Sequence, residues 1–220
     1  MNIFMLDKDP VIAAKMHTNK HCVKMITESA QMLSTAHRYL DGSLYIAAGK
    51  AGRKIKRFRH PDENLNENLF QACHINHPSN KWIRESSGNY MYLFNLYEAL
   101  INEYYIRFPT IISHKQITNN KEHGSARLLE LLRSPPKNIQ DAELEFPKQN
   151  LQAMPDKYKN ADAILAYRDY YIGEKEISDY YIRVHYPNLI NSKPIVKAVY
   201  FDPPNFILEF LNPKKKSLSI

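Results

Sequence analysis

DPVIAAKMHTNKHCVKMITESAQMLSTAHRYLDG, residues Asp9 to Gly42, is the stretch on which the fold turns. At about 100° of rotation per helical residue, Cys22, Met25, Met32, Ala36 and Leu40 share one apolar flank. Ile26, Ala30 and Leu33 extend it, so roughly half of the circumference faces a core. Asp9 before Pro10 reads as an N-cap and first helical residue, and Asp41-Gly42 as the stop. The pattern predicts one long amphipathic helix over 9–42, with Thr18-Asn19 as the place where it could break. Its polar side sets His17, His21, Lys24, Glu28, Gln31 and Thr35 in a single column, the densest gathering of chemically useful groups in the chain.

Outward from that helix, 220 residues with 44% hydrophobic content can bury one sizeable core, so residues 1–220 read as a single, mainly α-helical domain. The small β element is expected as an N-terminal strand over Asn2–Leu6, a C-terminal hairpin, or both. Ser79 to Phe108 predicts a second long helix carrying Trp82, Tyr90, Leu93, Phe94, Tyr97 and Leu100, with Ser86-Ser87-Gly88 as an interruption. A shorter helix is expected over Glu122–Leu132, a proline-punctuated connection over 135–158, and a further helix over Ala161–Glu174. A β-like appendage covers 195–212, where Lys197–Phe201 and Phe206–Leu211 flank the turn Asp202-Pro203-Pro204-Asn205. The six glycines form no phosphate-cradling loop, which argues against nucleotide-triphosphate hydrolysis by such a loop. No stretch approaches the roughly 20 apolar residues of a membrane span, and Met1–Asp7 carries no basic leader. With only Cys22 and Cys73, reduced thiols in the cytoplasm and no membrane partner are the expectation.

The net charge of +7 is local rather than general. Lys50, Arg53, Lys54, Lys56, Arg57 and Arg59 crowd a basic loop at 49–60 whose first eleven residues hold no acid, and Lys214, Lys215 and Lys216 form a second cluster. Without those nine, the 23 acidic residues outnumber the remaining bases. Such confinement suits contact with a polyanion, DNA first of all; a solvated loop and tail that aid solubility are the plain alternative. Around Tyr158, Tyr167, Arg168, Tyr170 and Tyr171, aromatics mix with cations as they do where bases stack and phosphates are neutralised. The i, i+3, i+4, i+7 row Tyr167, Tyr170, Tyr171, Glu174 equally fits the inward face of a helix.

Asn2-Ile3-Phe4-Met5-Leu6-Asp7, Asp9-Pro10, Asn19-Lys20-His21, Val23-Lys24-Met25 and Ser34-Thr35-Ala36-His37-Arg38 together resemble a small family of bacteriophage-encoded proteins. The likeness continues through Asn76-His77-Pro78, Trp82-Ile83-Arg84-Glu85-Ser86, Asn89-Tyr90, Ala153-Met154-Pro155-Asp156 and Tyr167-Arg168. Residues 46 to 60 and those after about 178 depart from it. The resemblance implies a phage context and a host cytoplasm, where small basic proteins commonly act on DNA or nucleotides.

Three chemistries fit the polar column. Lys24 as an amine nucleophile with Glu28 one turn later moving protons is the pairing of a base-excising lyase; an ordinary i,i+4 ion pair is the competing reading. No cofactor or metal is expected; the alternative is zinc on His17 and His21, one turn apart, with His74 and His77, against histidines that cap, stack or hydrogen-bond locally, and Glu28 stands about 10 Å further along the axis. His17 and His21 as general acid and base, with Lys24, Arg84 and Arg168 neutralising charge, would suit a phosphate ester or glycosidic bond. The expectation is a DNA-acting enzyme, a hydrolase or lyase of modification or repair. A non-catalytic DNA-binding or accessory protein and an enzyme acting on free nucleotides are the alternatives.

Overall fold

A computed structural model describes residues 1–49, 52–108, 110–113, 116–118, 122–174, 181–190 and 193–200. Helices α1 (Pro10–Met16), α2 (Asn19–Leu40), α3 (Glu63–Asn68), α4 (Pro78–Trp82), α5 (Ser87–Arg107) and α6 (Ala163–Glu174) carry the body. The strands pair as antiparallel hairpins: β1 (Ser43–Ala48) with β2 (Lys54–Arg59), β3 (Thr110–Ser113) with β4 (Gln116–Thr118), and β5 (Tyr181–Ile190) with β6 (Lys193–Tyr200). The class is therefore mainly α with a small β component, as the periodicity predicts. Among the described residues no helix is long and apolar enough to cross a membrane.

The stretch over 9–42 is two helices, not one. Asp9 caps α1 by accepting the Val11 amide at 2.7 Å, and His17, extended at φ −66° and ψ 141°, ends it. Thr18 then caps α2 by accepting the His21 amide. Arg107, the buried last residue of α5, holds the break. Its Nη1 donates to the His17 carbonyl at 2.6 Å and to Asn19 Oδ1 at 3.2 Å, and its Nη2 to the Lys15 carbonyl at 2.8 Å. A guanidinium thereby satisfies carbonyls that a helix C-terminus leaves without intrahelical partners. Side-chain periodicity runs through the break because α1 and α2 both turn apolar residues to the same core.

That core lies where α2 packs along α5, and Met25, Ile26, Leu33, Tyr90, Leu93, Phe94, Tyr97 and Leu100 have almost no exposure. Asn2–Leu6, expected as a strand, is irregular: among the described residues it pairs with no strand, and it buries Ile3, Phe4, Met5 and Leu6 as packing for the helices. The second long helix is interrupted where expected. Ser86 caps α5 by accepting the Asn89 amide, leaving α4 as a separate short turn of helix. Glu122–Leu132 contains two 3-10 turns, Ala126–Leu128 and Glu130–Leu132, in place of an α-helix. The C-terminal hairpin joins β6 to the upstream β5, so its partner precedes it; residues 202–205 and Phe206–Leu211 lie outside the described residues.

The basic loop is largely a strand. β2 pairs with β1 from Ser43↔Arg59 to Ala48↔Lys54, which makes Ser43–Ala48 and Lys54–Arg59 a two-stranded ribbon. Isolated hairpins are marginal in water, so its foot must be held. Gly42 joins α2 to β1 where a Cβ would be driven into the carbonyl oxygens of Arg38 and Arg59, which no other residue type avoids. Beside it the buried Arg38 guanidinium donates to the carbonyls of Phe58 (2.9 Å), Asn66 (2.7 Å), Leu69 (3.0 Å) and Phe70 (2.7 Å) and to Asn66 Oδ1 (3.0 Å). Those bonds tie α2, the end of β2 and α3 together. Arg38→Met fills much of the volume but strands several buried carbonyls, so urea unfolding should show a loss of at least about 3 kcal/mol.

Candidate functional site

His17, His21, Lys24 and Glu28 are each engaged by their own neighbours. His17 is fully buried, and its Nδ1–H donates to the Ala13 carbonyl at 2.7 Å. Burial pushes its pKa down to about 4 against that hydrogen bond, so the ring is neutral. His21 stacks on Phe4, with ring centroids 4.3 Å apart, and its Nδ1 meets the Tyr171 hydroxyl. Lys24 is exposed and lies 3.2 Å from Glu28, an i,i+4 pair of the kind worth a few tenths of a kcal/mol. Glu28 also accepts the Asn2 amide at 3.0 Å. Arg84 stacks 3.9 Å from the Tyr39 ring and donates to the Ile75 carbonyl. Tyr39 is fifteen residues beyond Lys24 on the same helix, about 22 Å along the axis, so Arg84 does not join His17, His21 and Lys24.

The other expected residues are similarly engaged. His77 caps α4 by accepting the Ser79 amide, and His74 is exposed with φ at 47°. The proposed zinc set of His17, His21, His74 and His77 forms no cluster of ligand atoms among the described residues. Arg168 donates to the Leu6 carbonyl at 2.7 Å and pairs with Asp7 at 2.9 Å, while the Tyr158 hydroxyl donates to Glu174. Tyr167 and Tyr171 are buried, the inward-face alternative for that row.

The ribbon is different. Lys54, Lys56 and Arg59 are exposed, Arg57 is half-buried, Arg53 precedes the strand, and Lys50 lies outside the described residues, as do Lys214, Lys215 and Lys216. Opposed residues share a face, so Arg57 and Arg59 stand with Tyr45 on one side and Lys54 and Lys56 with Leu44 and Ile46 on the other. Leu44, Tyr45 and Ile46 are each about half exposed, and the Arg59 guanidinium lies 6.0 Å from the Tyr45 ring. Among the described residues no carboxylate pairs with Arg53, Lys54, Lys56, Arg57 or Arg59.

At the foot of the ribbon three residues absent from the expected set come together: His37 and Asp41 at the end of α2, and His60 just after β2. Their ligand atoms lie within 4.8 Å of one another, and they border a cleft of about 520 Å³ that Asp62, Leu65, Ser134 and Lys137 also line. Tyr90, whose phenol burial holds well above its ordinary pKa, donates its one proton to the Leu132 carbonyl at 2.8 Å. It therefore accepts at 3.0 Å from His37 Nε2–H, and the buried His37 Nδ1, which the Ser134 backbone approaches, completes no full hydrogen bond. Burial pushes the His37 pKa down to about 4 although Asp41 opposes it. The Asp41 carboxylate accepts the amides of Lys137 (2.8 Å) and Asn138 (2.9 Å). The legible signal is the i,i+4 spacing of His37 and Asp41, the same one-turn spacing as His17 and His21. It is masked because His37 falls on the apolar side of the wheel and Asp41 reads as a helix stop.

No family model, curated protein or solved structure matches this chain.

The buried His17 makes stability depend on pH. An unfolded histidine titrates near 6.5 and folded His17 near about 4, so the unfolded chain takes up a proton first as pH falls. Its contribution is full above pH 6.5 and is lost between 6.5 and 4, by up to roughly 3 kcal/mol. Urea unfolding at stepped pH should show that decline, to which the buried His37 adds a similar one, and His17→Asn, which keeps a donor toward the Ala13 carbonyl, should make it shallower by the His17 share.

Proposed function

We propose that this protein binds nucleic acid, DNA foremost, by laying the β1–β2 ribbon against the phosphate backbone. The observation that carries the reading is the ribbon itself: exposed cations on both faces, no paired carboxylate among the described residues, and a foot held rigidly to the body. Six residues at about 3.4 Å each give it a reach of about 20 Å, enough to follow a groove between two phosphate rows. Cations on both faces suit a ribbon with a phosphate row on either side, and Tyr45 offers a ring to sugar or base. The resemblance to bacteriophage proteins fits a DNA-binding or accessory role.

A DNA-acting hydrolase or lyase is the second reading. It is favoured by the cleft that opens at the foot of the same ribbon, bordered by imidazoles and a carboxylate. Chemistry there would act on a strand already held by the cations, and it does not use Lys24, whose exposed ammonium pairs with Glu28.

Combined Lys54→Gln, Lys56→Gln and Arg59→Gln substitutions should weaken duplex DNA binding at least tenfold near 100 mM salt. If all three cations touch phosphates, the slope of log affinity against log salt should fall in magnitude by about 3. An unchanged slope in the folded variant sinks the ribbon reading. Heat protection by a mononucleotide with no response to duplex DNA would move the protein to the free-nucleotide class. Strand cleavage that survives Lys24→Ala but disappears in His37→Gln would establish the enzyme.

A further inference from the structure

The His37, Asp41 and His60 cluster has a geometry that protein groups alone do not complete. His37, 4% exposed, has a Nδ1 that completes no hydrogen bond although the Ser134 backbone lies near it, and His60, 5% exposed, has a Nε2 likewise without a hydrogen-bond partner. His60 Nε2 lies 3.7 Å from Asp41 Oδ2, too far for a hydrogen bond. Donors held about 2.0–2.1 Å from one tetrahedral ion stand roughly 3.3 Å apart, so the His60–Asp41 pair at 3.7 Å is close to that spacing, and the set as a whole, within 4.8 Å, would draw in on binding. The outer supports also match a metal centre. The Tyr90 hydroxyl takes the His37 Nε2–H and so fixes the tautomer that leaves Nδ1 available, and the Lys137 and Asn138 amides orient the Asp41 carboxylate.

We propose that His37 Nδ1, Asp41 and His60 Nε2 bind one divalent transition-metal ion, best fitted by Zn2+, with a fourth position open to the cleft. Two imidazoles and one carboxylate favour a borderline ion over Mg2+ or Ca2+, which prefer oxygen donors. Three protein ligands with an open position are the pattern of a zinc that holds water or a substrate oxygen. Loading requires one local change. His60 Nδ1 now accepts the Asp62 amide at 3.1 Å, so its single proton resides on Nε2; on binding, that proton passes to Nδ1 and the Asp62 amide turns to solvent. The ion would join the end of α2 to both feet of the ribbon, since Asp41 precedes β1 and His60 follows β2. This site stands independently of the DNA reading, because the binding test uses no nucleic acid.

Two substitutions remove the donors while preserving their neighbours. In His37→Gln the side-chain amide still donates to Tyr90 but offers nothing in place of Nδ1, and in His60→Asn the side-chain oxygen still accepts the Asp62 amide but nothing replaces Nε2. Metal-free wild type titrated with Zn2+ by calorimetry should bind one equivalent, and its melting temperature should rise with free Zn2+. Each variant, shown folded by circular dichroism, should bind at least tenfold more weakly and lose that rise. Co2+ should give visible bands of a nitrogen and oxygen site. Failure of wild type to bind either metal, equal binding in the folded variants, or thiolate-to-cobalt absorption pointing to Cys73 would each overturn the assignment.

Discussion

A single guanidinium holds together the part of this molecule that meets the outside. Arg38 is buried with no carboxylate paired to it among the described residues, and its donors go to four backbone carbonyls and one side-chain amide oxygen. Burying a cation is costly unless every donor is used, and only the planar fork of arginine can reach so many acceptors at once. The acceptors belong to the end of β2 and to α3 and its exit, so one side chain of α2 sets where the ribbon starts and how the next segment returns. Arg107 does the same at the other end of the helix pair, closing the break between α1 and α2. Charge in this protein therefore has two separate uses: inside, guanidiniums organise backbone; outside, on the ribbon, cations remain available to an anion.

The same division explains the polar column of α2. Gln31 and Thr35, Glu28 and His21 were attractive as chemistry because they share one face. In the folded chain that face, apart from the exposed Lys24, meets helix α6 and segments with little regular structure, whose amides and hydroxyls need partners. Glu28 takes the Asn2 amide, His21 meets Tyr171, Thr27 meets Ser125, and Thr35 takes the Cys73 amide. A helix that supports irregular chain must offer polar atoms on the supported side, and in a sequence this cannot be told from a reactive row.

What could be read from residues alone follows the range of the forces involved. Local patterns gave the apolar stripe of α2, the cap at Asp9, the interruption at Ser86-Ser87-Gly88 and a helix over Ala161–Glu174 that is observed from Ala163, because capping and periodicity depend on neighbours within a turn. The break at His17 depends on Arg107, ninety residues away, and left no periodic trace. The basic segment was legible as charge but not as a strand, since its pairing partner, Leu44-Tyr45-Ile46, is exposed and lacks the alternation of a half-buried strand. His37, Asp41 and His60 were hidden for a similar reason: two of the three are adjacent only on the helix, and the third arrives through the hairpin.

The glycine between α2 and the ribbon has a mechanical meaning. With backbone oxygens of Arg38 and Arg59 pressed against the space where a side chain would begin, the junction has no slack, and the ribbon and α2 should behave as one stiff lever rather than as an arm on a swivel. A surface that approaches the ribbon then meets it at one bearing angle, without the entropy loss of arresting a swinging element. The same stiffness would carry any tilt imposed on the ribbon straight into the helix pair at the centre of the molecule.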